Sequence, residues 1–198
     1  MKKILIIIIA CVAMISCSKE SQLDRTIFIP DQDNSSLPAY TEWGYNNFGA
    51  EWERTYFLAS QDIIPCKVMF RNDSLHLLLS GIYGKTYPRQ TMSLTFVFPS
   101  EKLAKYDDLL NLHKKTLNLN NNCLVKMQIN KAAEQTLNIV SGEFVFKRAQ
   151  LLKVDDVENR VILSGTFDFQ FLGASDFPES FSDGRFDFGI TAKEFYSY

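Results

Sequence analysis

Glycine is scarce in this chain, 9 of 198 residues, and so are tryptophan at 2 and histidine at 2. The few glycines never gather into a phosphate-cradling loop, which excludes the usual nucleotide-binding signatures. No serine sits in a GxSxG run, so the nucleophile elbow of a hydrolase is missing. No CxxC and no Cys/His cluster occurs, so no metal and no cofactor is expected. Positive charge is not in excess either. Lys+Arg 21 against Asp+Glu 23 gives a formal net charge of -2, which argues against nucleic acid as a partner.

What is present is ordinary apolar content with an aromatic bias. Hydrophobic residues make up 46%, and there are 16 phenylalanines. That is enough to exclude wholesale disorder and to bury one core without disulfides. The length fits one domain, or one domain plus a tail.

The N-terminus is the strongest local signal. Met1-Lys2-Lys3 is a short positive region, and the apolar run Ile4 to Ile15 follows. A helix needs about 20 apolar residues to span a bilayer core, so this run is too short. It fits the apolar region of a secretory signal. Met14-Ile15-Ser16-Cys17 then resembles a bacterial lipobox, with Met14 where leucine is more usual. The resemblance implies that residues 1–16 are removed and that Cys17 carries diacylglycerol on its thiol and often an acyl chain, such as palmitate, on its amine. Two or more chains, at about 0.8 kcal/mol per buried methylene, hold a protein stably on a membrane. Ser18 resembles the residue of outer-membrane-sorted lipoproteins, and Ser18-Lys19-Glu20 partly resembles the surface-export signal of Bacteroidota lipoproteins. Periplasmic and cell-surface faces both stay open. With Lys2 and Lys3 gone, 19 bases face 23 acids, a net of -4.

Of the four cysteines, Cys11 lies in the signal and Cys17 is the lipid site, leaving Cys66 and Cys123. In an oxidising compartment they either bridge or remain two separate buried thiols. A bridge would close a loop of about 57 residues and add roughly 4 kcal/mol.

Residues 17–39 are polar and turn-rich and are expected to form a flexible tether, with a single β-rich domain over 40–198. Runs of Val, Ile, Phe, Tyr and Thr between short turns predict strands near 41–48, 53–59, 65–70, 74–82, 90–98, 115–119, 122–129, 136–141, 143–154, 160–172 and 184–191. Val161, Leu163, Phe167, Phe169 and Phe171 share one face, while Ser164, Thr166, Asp168 and Gln170 take the other. One buried face and one wet face indicate an antiparallel sheet. Arg71-Asn72-Asp73 and 155–159 are expected as hairpin loops, and Asp183-Gly184 as a turn. Pro99-Ser100 with Leu103, Tyr106 and Leu110 predicts one helix over 101–112. The expected architecture is an all-β antiparallel sandwich, with a lipocalin-like barrel as second choice.

Few residues suggest chemistry. His76 reads as mid-strand and His113 as a helix end. Asp31, Asp33, Ser35 and Glu42 fall on calcium-loop positions, but Ser36 replaces the required glycine and Pro38 interrupts. Asp155, Asp156 and Glu158 form an acidic loop, and Asp168 is placed to pair with Arg185 across strands. The best ligand candidates are Trp43, Tyr45, Trp52 and Tyr56, because exposed aromatic rings stack on sugars or anchor partners. The same residues also suit a core.

The whole resembles the uncharacterised lipoprotein families of Bacteroidota. The resemblance rests on Met14-Ile-Ser-Cys17, Asn47-Phe-Gly-Ala50, Ser164-Gly-Thr-Phe167 and Ser182-Asp-Gly-Arg-Phe-Asp187. It implies an envelope location and a β-fold, and it transfers no catalytic residue. The expected function is a non-catalytic, lipid-anchored module that binds a glycan, a peptide or an envelope protein. An envelope hydrolase and a purely structural lipoprotein are the alternatives.

Overall fold

The computed structural model describes residues 25–84, 89–99, 101, 103, 105–120, 123–154, 157–173 and 175–197. The lipobox with Cys17, and Asp155 and Asp156 of the expected 155–159 loop, lie outside the described residues, while residues 157–159 of that loop are already strand. The strands are β1 (Asn47–Trp52), β2 (Thr55–Leu58), β3 (Cys66–Arg71), β4 (Ser74–Tyr83), β5 (Gln90–Phe98) and β6 (Lys115–Asn118). They continue as β7 (Leu124–Ile129), β8 (Gln135–Thr136), β9 (Asn138–Val154), β10 (Val157–Leu172), β11 (Pro178–Ile190) and β12 (Phe195–Ser197). The all-β expectation holds.

All twelve strands belong to one sheet, ordered β6-β9-β10-β11-β1-β2-β4-β5-β7-β8, with β3 beside β4 and β12 beside β3. Every pairing is antiparallel except that of β12 with β3. The sheet curls into a half-barrel, and its two halves meet through aromatic rings. Phe96 of β5 lies 4.9 Å from Phe144 of β9 and 5.5 Å from Phe167 of β10, centroid to centroid. The facing layers expected of a sandwich are therefore two halves of a single sheet, continuous through β1, β2 and β4. Alternation reports which side of a strand is buried, not whether two layers share a ladder. The interior that a lipocalin-like barrel would keep open is filled by phenylalanines.

The alternation in β10 and β11 places Leu163, Phe167, Phe169, Phe186 and Phe188 in the core. Asn72 and Asp73, with φ of 51° and 55°, make the two-residue turn between β3 and β4. Both central residues of a type I′ turn need positive φ, which Asn and Asp tolerate best after glycine. Asp183-Gly184 is not a turn. Strand β11 runs straight through it, and the register with β10 slips between Phe167 and Phe169. This is a bulge: Asp183 has φ 53°, and its N–H donates to the Asp168 carboxylate at 2.9 Å.

Three further expectations are corrected. Residues 41–46 are not a strand but a loop. Residues 25–39 are not a free tether in their described extent. They form a strap across the outer face of β1 and β11, with Leu37 fully buried and the Arg185 guanidinium 2.7 Å from Asp31. Pro38 packs where Gly49 leaves room, since a Cβ there would collide with its ring. The helix is a 3-10 helix over Tyr106–Leu112 only, with Leu109 and Leu112 buried. Its start is fixed by Asp108, which accepts the Lys105 N–H at 2.8 Å. The Tyr106 hydroxyl donates to the Ile190 carbonyl (2.6 Å) and accepts the Val161 N–H (2.7 Å), tying the helix to the end of the β10–β11 ladder.

Cys66 and Cys123 are free thiols. Cys66 opens β3, and β4 and β5 separate it from β7, which Cys123 precedes. Three strand spacings are about 14 Å. A disulfide needs Cα atoms within about 7 Å, so the bridge reading is set aside.

Candidate functional site

The four candidate aromatics do not form one cluster. Trp43 and Tyr45 belong to the loop before β1, and Trp52 ends that strand. The length of β1 alone sets about 17 Å between them. Tyr56, half-buried on β2, stands opposite Glu51.

The Trp43 loop is organised by Asp187, a buried carboxylate on the outer face of β11. Its Oδ2 accepts the Thr41 hydroxyl (2.6 Å) and the Trp43 and Tyr45 N–H groups (3.0 and 3.2 Å). Its Oδ1 accepts the Gly44 N–H at 2.7 Å. These amides serve the carboxylate instead of a ladder, and Gly44 and Asn46 take positive φ (75° and 51°), so the segment bends. The Trp43 indole is left 70% exposed.

Trp52 is built into a groove. Its ring stacks on Phe181 at 5.4 Å and lies 4.8 Å from Tyr83. Its indole N–H donates to the Glu179 carboxylate at 3.0 Å. The groove has a volume of about 690 Å³ and lies between β7–β8 and the ends of β1, β10 and β11. Met127, Ile129 and Gln135 line one side, and Phe171, Leu172 and Glu179 the other. The indole, fixed on one edge by a carboxylate, forms part of a mainly apolar wall with polar side chains at the rim. That combination suits a ligand with an apolar face and hydroxyl groups. Glu179 and Tyr83 escaped the sequence reading. One signal was available: Glu179 is in phase with the core residue Phe181, and a carboxylate on an inward-facing position marks a strand end that meets something polar.

A second, polar groove of about 430 Å³ runs between the 3-10 helix end and β9, lined by Glu42, His113, Lys114, Lys147, Arg148 and neighbours. Arg148 pairs with Glu42 at 2.6 Å, and the Lys147 ammonium lies 4.7 Å over the Tyr40 ring. The Tyr40 hydroxyl donates to Glu42 at 2.8 Å, and burial pushes its pKa up to about 12.

The remaining candidates have structural roles. The His113 Nδ1 accepts the Ala149 N–H at 3.2 Å. His76 stands on β4 opposite Met69 and Val97, and burial pulls its pKa down. Arg185 pairs with Asp31 rather than with Asp168. The Asp31 carboxylate is held below its usual range by the N–H groups of Asn34 and Asp33 and by Arg185, so it caps its own turn. Among the described residues no group of His, Cys, Asp or Glu is placed to hold a metal ion. Among them, too, no helix is long and apolar enough to cross a membrane.

No family model matches the chain, and neither the comparison with curated proteins nor that with solved structures returns a match.

Proposed function

We propose that the chain is a cell-envelope lipoprotein, moored through Cys17 to the outer membrane, whose β-domain binds a ligand without transforming it. The ligand class that best fits is a saccharide, held in the Trp52 groove. The observation that carries this reading is the Trp52–Glu179 hydrogen bond at 3.0 Å, which fixes an aromatic wall and an acceptor side by side. With the Trp52 faces packed on Phe181 and Tyr83, the apolar side chains of the groove, Ile129 and Leu172 among them, cover the apolar face of a sugar, and the Glu179 carboxylate accepts from its hydroxyls.

A non-catalytic role is favoured over a hydrolase by the same groove. Glycoside hydrolysis uses two carboxylates about 5–10 Å apart. Among the described lining residues, Glu179 is the one ionisable group.

A glycan array screened with the native protein tests the reading, followed by titration calorimetry of Trp52→Ala. Binding that weakens at least about tenfold in the variant, roughly 1.4 kcal/mol, is the expected result. A silent array, or equal binding by the variant, overturns the glycan assignment. Mass spectrometry of the native N-terminus tests the anchor: the expected species begins at Cys17 and carries diacylglycerol.

A further inference from the structure

Eight large apolar side chains are exposed among the described residues, and four of them share one neighbourhood: Ile27, Phe28, Ile29 and Trp43. The strap carrying the first three is hydrogen-bonded to the Trp43 loop and folded back on itself. Ile27 N–H donates to the Tyr45 carbonyl at 2.9 Å, and Ala39 N–H donates to the Ile29 carbonyl at 2.7 Å. Asn47 Nδ2 adds a bond to the Ile27 carbonyl at 2.8 Å. With Asp187 holding the loop from below, these side chains stand on a pinned backbone. A protein leaves such a patch in water when something apolar covers it.

Two observations say what covers it. The first is where the described chain begins. Arg25 is only eight residues beyond Cys17, and at about 3.4 Å per residue the connection spans no more than about 27 Å. The start of the strap is therefore held within about 27 Å of the acyl chains. The second is charge. The groove beside the loop shares Glu42 with it and brings together Lys114, Lys147 and Arg148 in a chain that is acidic as a whole. Basic side chains close to a lipid layer are attracted by anionic headgroups. Tryptophan is enriched at the same headgroup level.

We infer that Ile27, Phe28, Ile29 and Trp43 form a membrane-docking face that rests in the headgroup region of an anionic lipid layer, with lipid phosphates at Lys114, Lys147 and Arg148. The inference rests on the anchoring of Cys17 proposed above. It sets an orientation: Trp52 stands about 17 Å along β1 from Asn47, where the Trp43 loop ends, so the groove lies away from the docking face.

The two tryptophans allow a direct test on the acylated full-length protein in vesicles of phosphatidylglycerol and phosphatidylcholine. In Trp52→Phe the emission comes from Trp43, and in Trp43→Phe it comes from Trp52. Lipids brominated high on the acyl chain should quench the Trp43 emission by about twofold and shift it to the blue, and leave Trp52 unaffected. Charge reversal by Lys114→Glu with Lys147→Glu should weaken the quenching, as should replacing phosphatidylglycerol by phosphatidylcholine. Circular dichroism checks that each variant is folded. Protein that floats with the vesicles while Trp43 remains unquenched overturns the docking face and leaves the anchor standing. Equal quenching of both tryptophans also overturns it. A Cys17 that carries no lipid overturns the anchor, and the docking face with it.

Discussion

The Asp187 carboxylate accepts the Gly44 backbone N–H at 2.7 Å across 143 residues of sequence. The same group takes the Thr41 hydroxyl and the Trp43 and Tyr45 amides, so one buried side chain determines the course of the loop before β1. Asp187→Ala strands these donors beside a sheet face. The expected loss is at least about 3 kcal/mol in urea unfolding, with a smaller loss for Asp187→Asn, which keeps one acceptor oxygen. Time-resolved anisotropy should show faster Trp43 motion in Asp187→Ala. Equal stability of variant and parent would mean that the loop is held elsewhere.

Closure of the sheet depends on rings that meet across the half-barrel. Phe96 and Phe144 lie 4.9 Å apart, and both are fully buried. Either one replaced by alanine should cost about 3–5 kcal/mol. The double variant should lose less than the sum by about 0.5–1.5 kcal/mol, the part owed to the ring pair. Additive losses in a double-mutant cycle would show that the two halves pack independently.

The dependence of stability on acid has contributions of both signs. Glu42 is held below its ordinary value of 4.5, first by the Tyr40 hydroxyl and then by Arg148. Its contribution is complete above about pH 4.5 and is lost as the pH falls through the lowered folded value. Asp168 is shifted the other way, above 3.8, by partial burial and by the nearby acids Asp183 and Glu143. Its charge opposes folding at neutral pH, and that opposition disappears as the pH falls through the raised value. Glu42→Gln should therefore flatten the loss of stability below pH 4.5. Asp168→Asn, whose oxygen can still accept the Asp183 N–H, should raise the melting temperature at pH 7, with the gain shrinking towards pH 3. Thermal melts between pH 3 and 8 give both comparisons, and a gain for Asp168→Asn that grows in acid would reverse the assigned sign.

The two thiols differ in access. Cys66 is buried in the core, and burial pushes its pKa well above the usual thiol range. Cys123 is raised too, by its partial burial and by Glu101, but it is only half-buried. Alkylation of the native protein at pH 8 should label Cys123 slowly and Cys66 only after unfolding. Non-reducing peptide maps should contain no Cys66–Cys123 cross-link; finding one would displace the register of β3, β4, β5 and β7.

The regular part of the fold was legible because it is written in neighbouring residues. The alternation from Val161 to Phe171 marks the core face of β10, although Ile162 and Ser164, on the face expected to be wet, are buried beneath the segment with Tyr40 and Gly44, and Asn72-Asp73 is the hairpin that its tolerance of positive φ suggests. Trp43 and Tyr45 alternate just as well, yet they are loop, because their amides are claimed by a carboxylate far along the chain. Asp183-Gly184 carries a turn signature and makes a bulge, because Phe167 and the Asp168 carboxylate across the ladder hold β11 in line. Of the site, Trp52 could be named in advance and Glu179 carried only its phase with Phe181, while the groove they share depends on strands that meet from distant parts of the chain.

The sequence by itself determined the strand class, the turn between β3 and β4 and the core-facing side of the strands, since side-chain period and backbone preference are local properties. Tertiary structure alone decided that the layers are one curled sheet, that residues 25–39 fold down as a strap, and that Trp43 and Trp52 stand at opposite ends of β1. Those outcomes depend on which distant groups meet, and the free energy of such meetings belongs to pairs of residues that no stretch of neighbouring sequence contains.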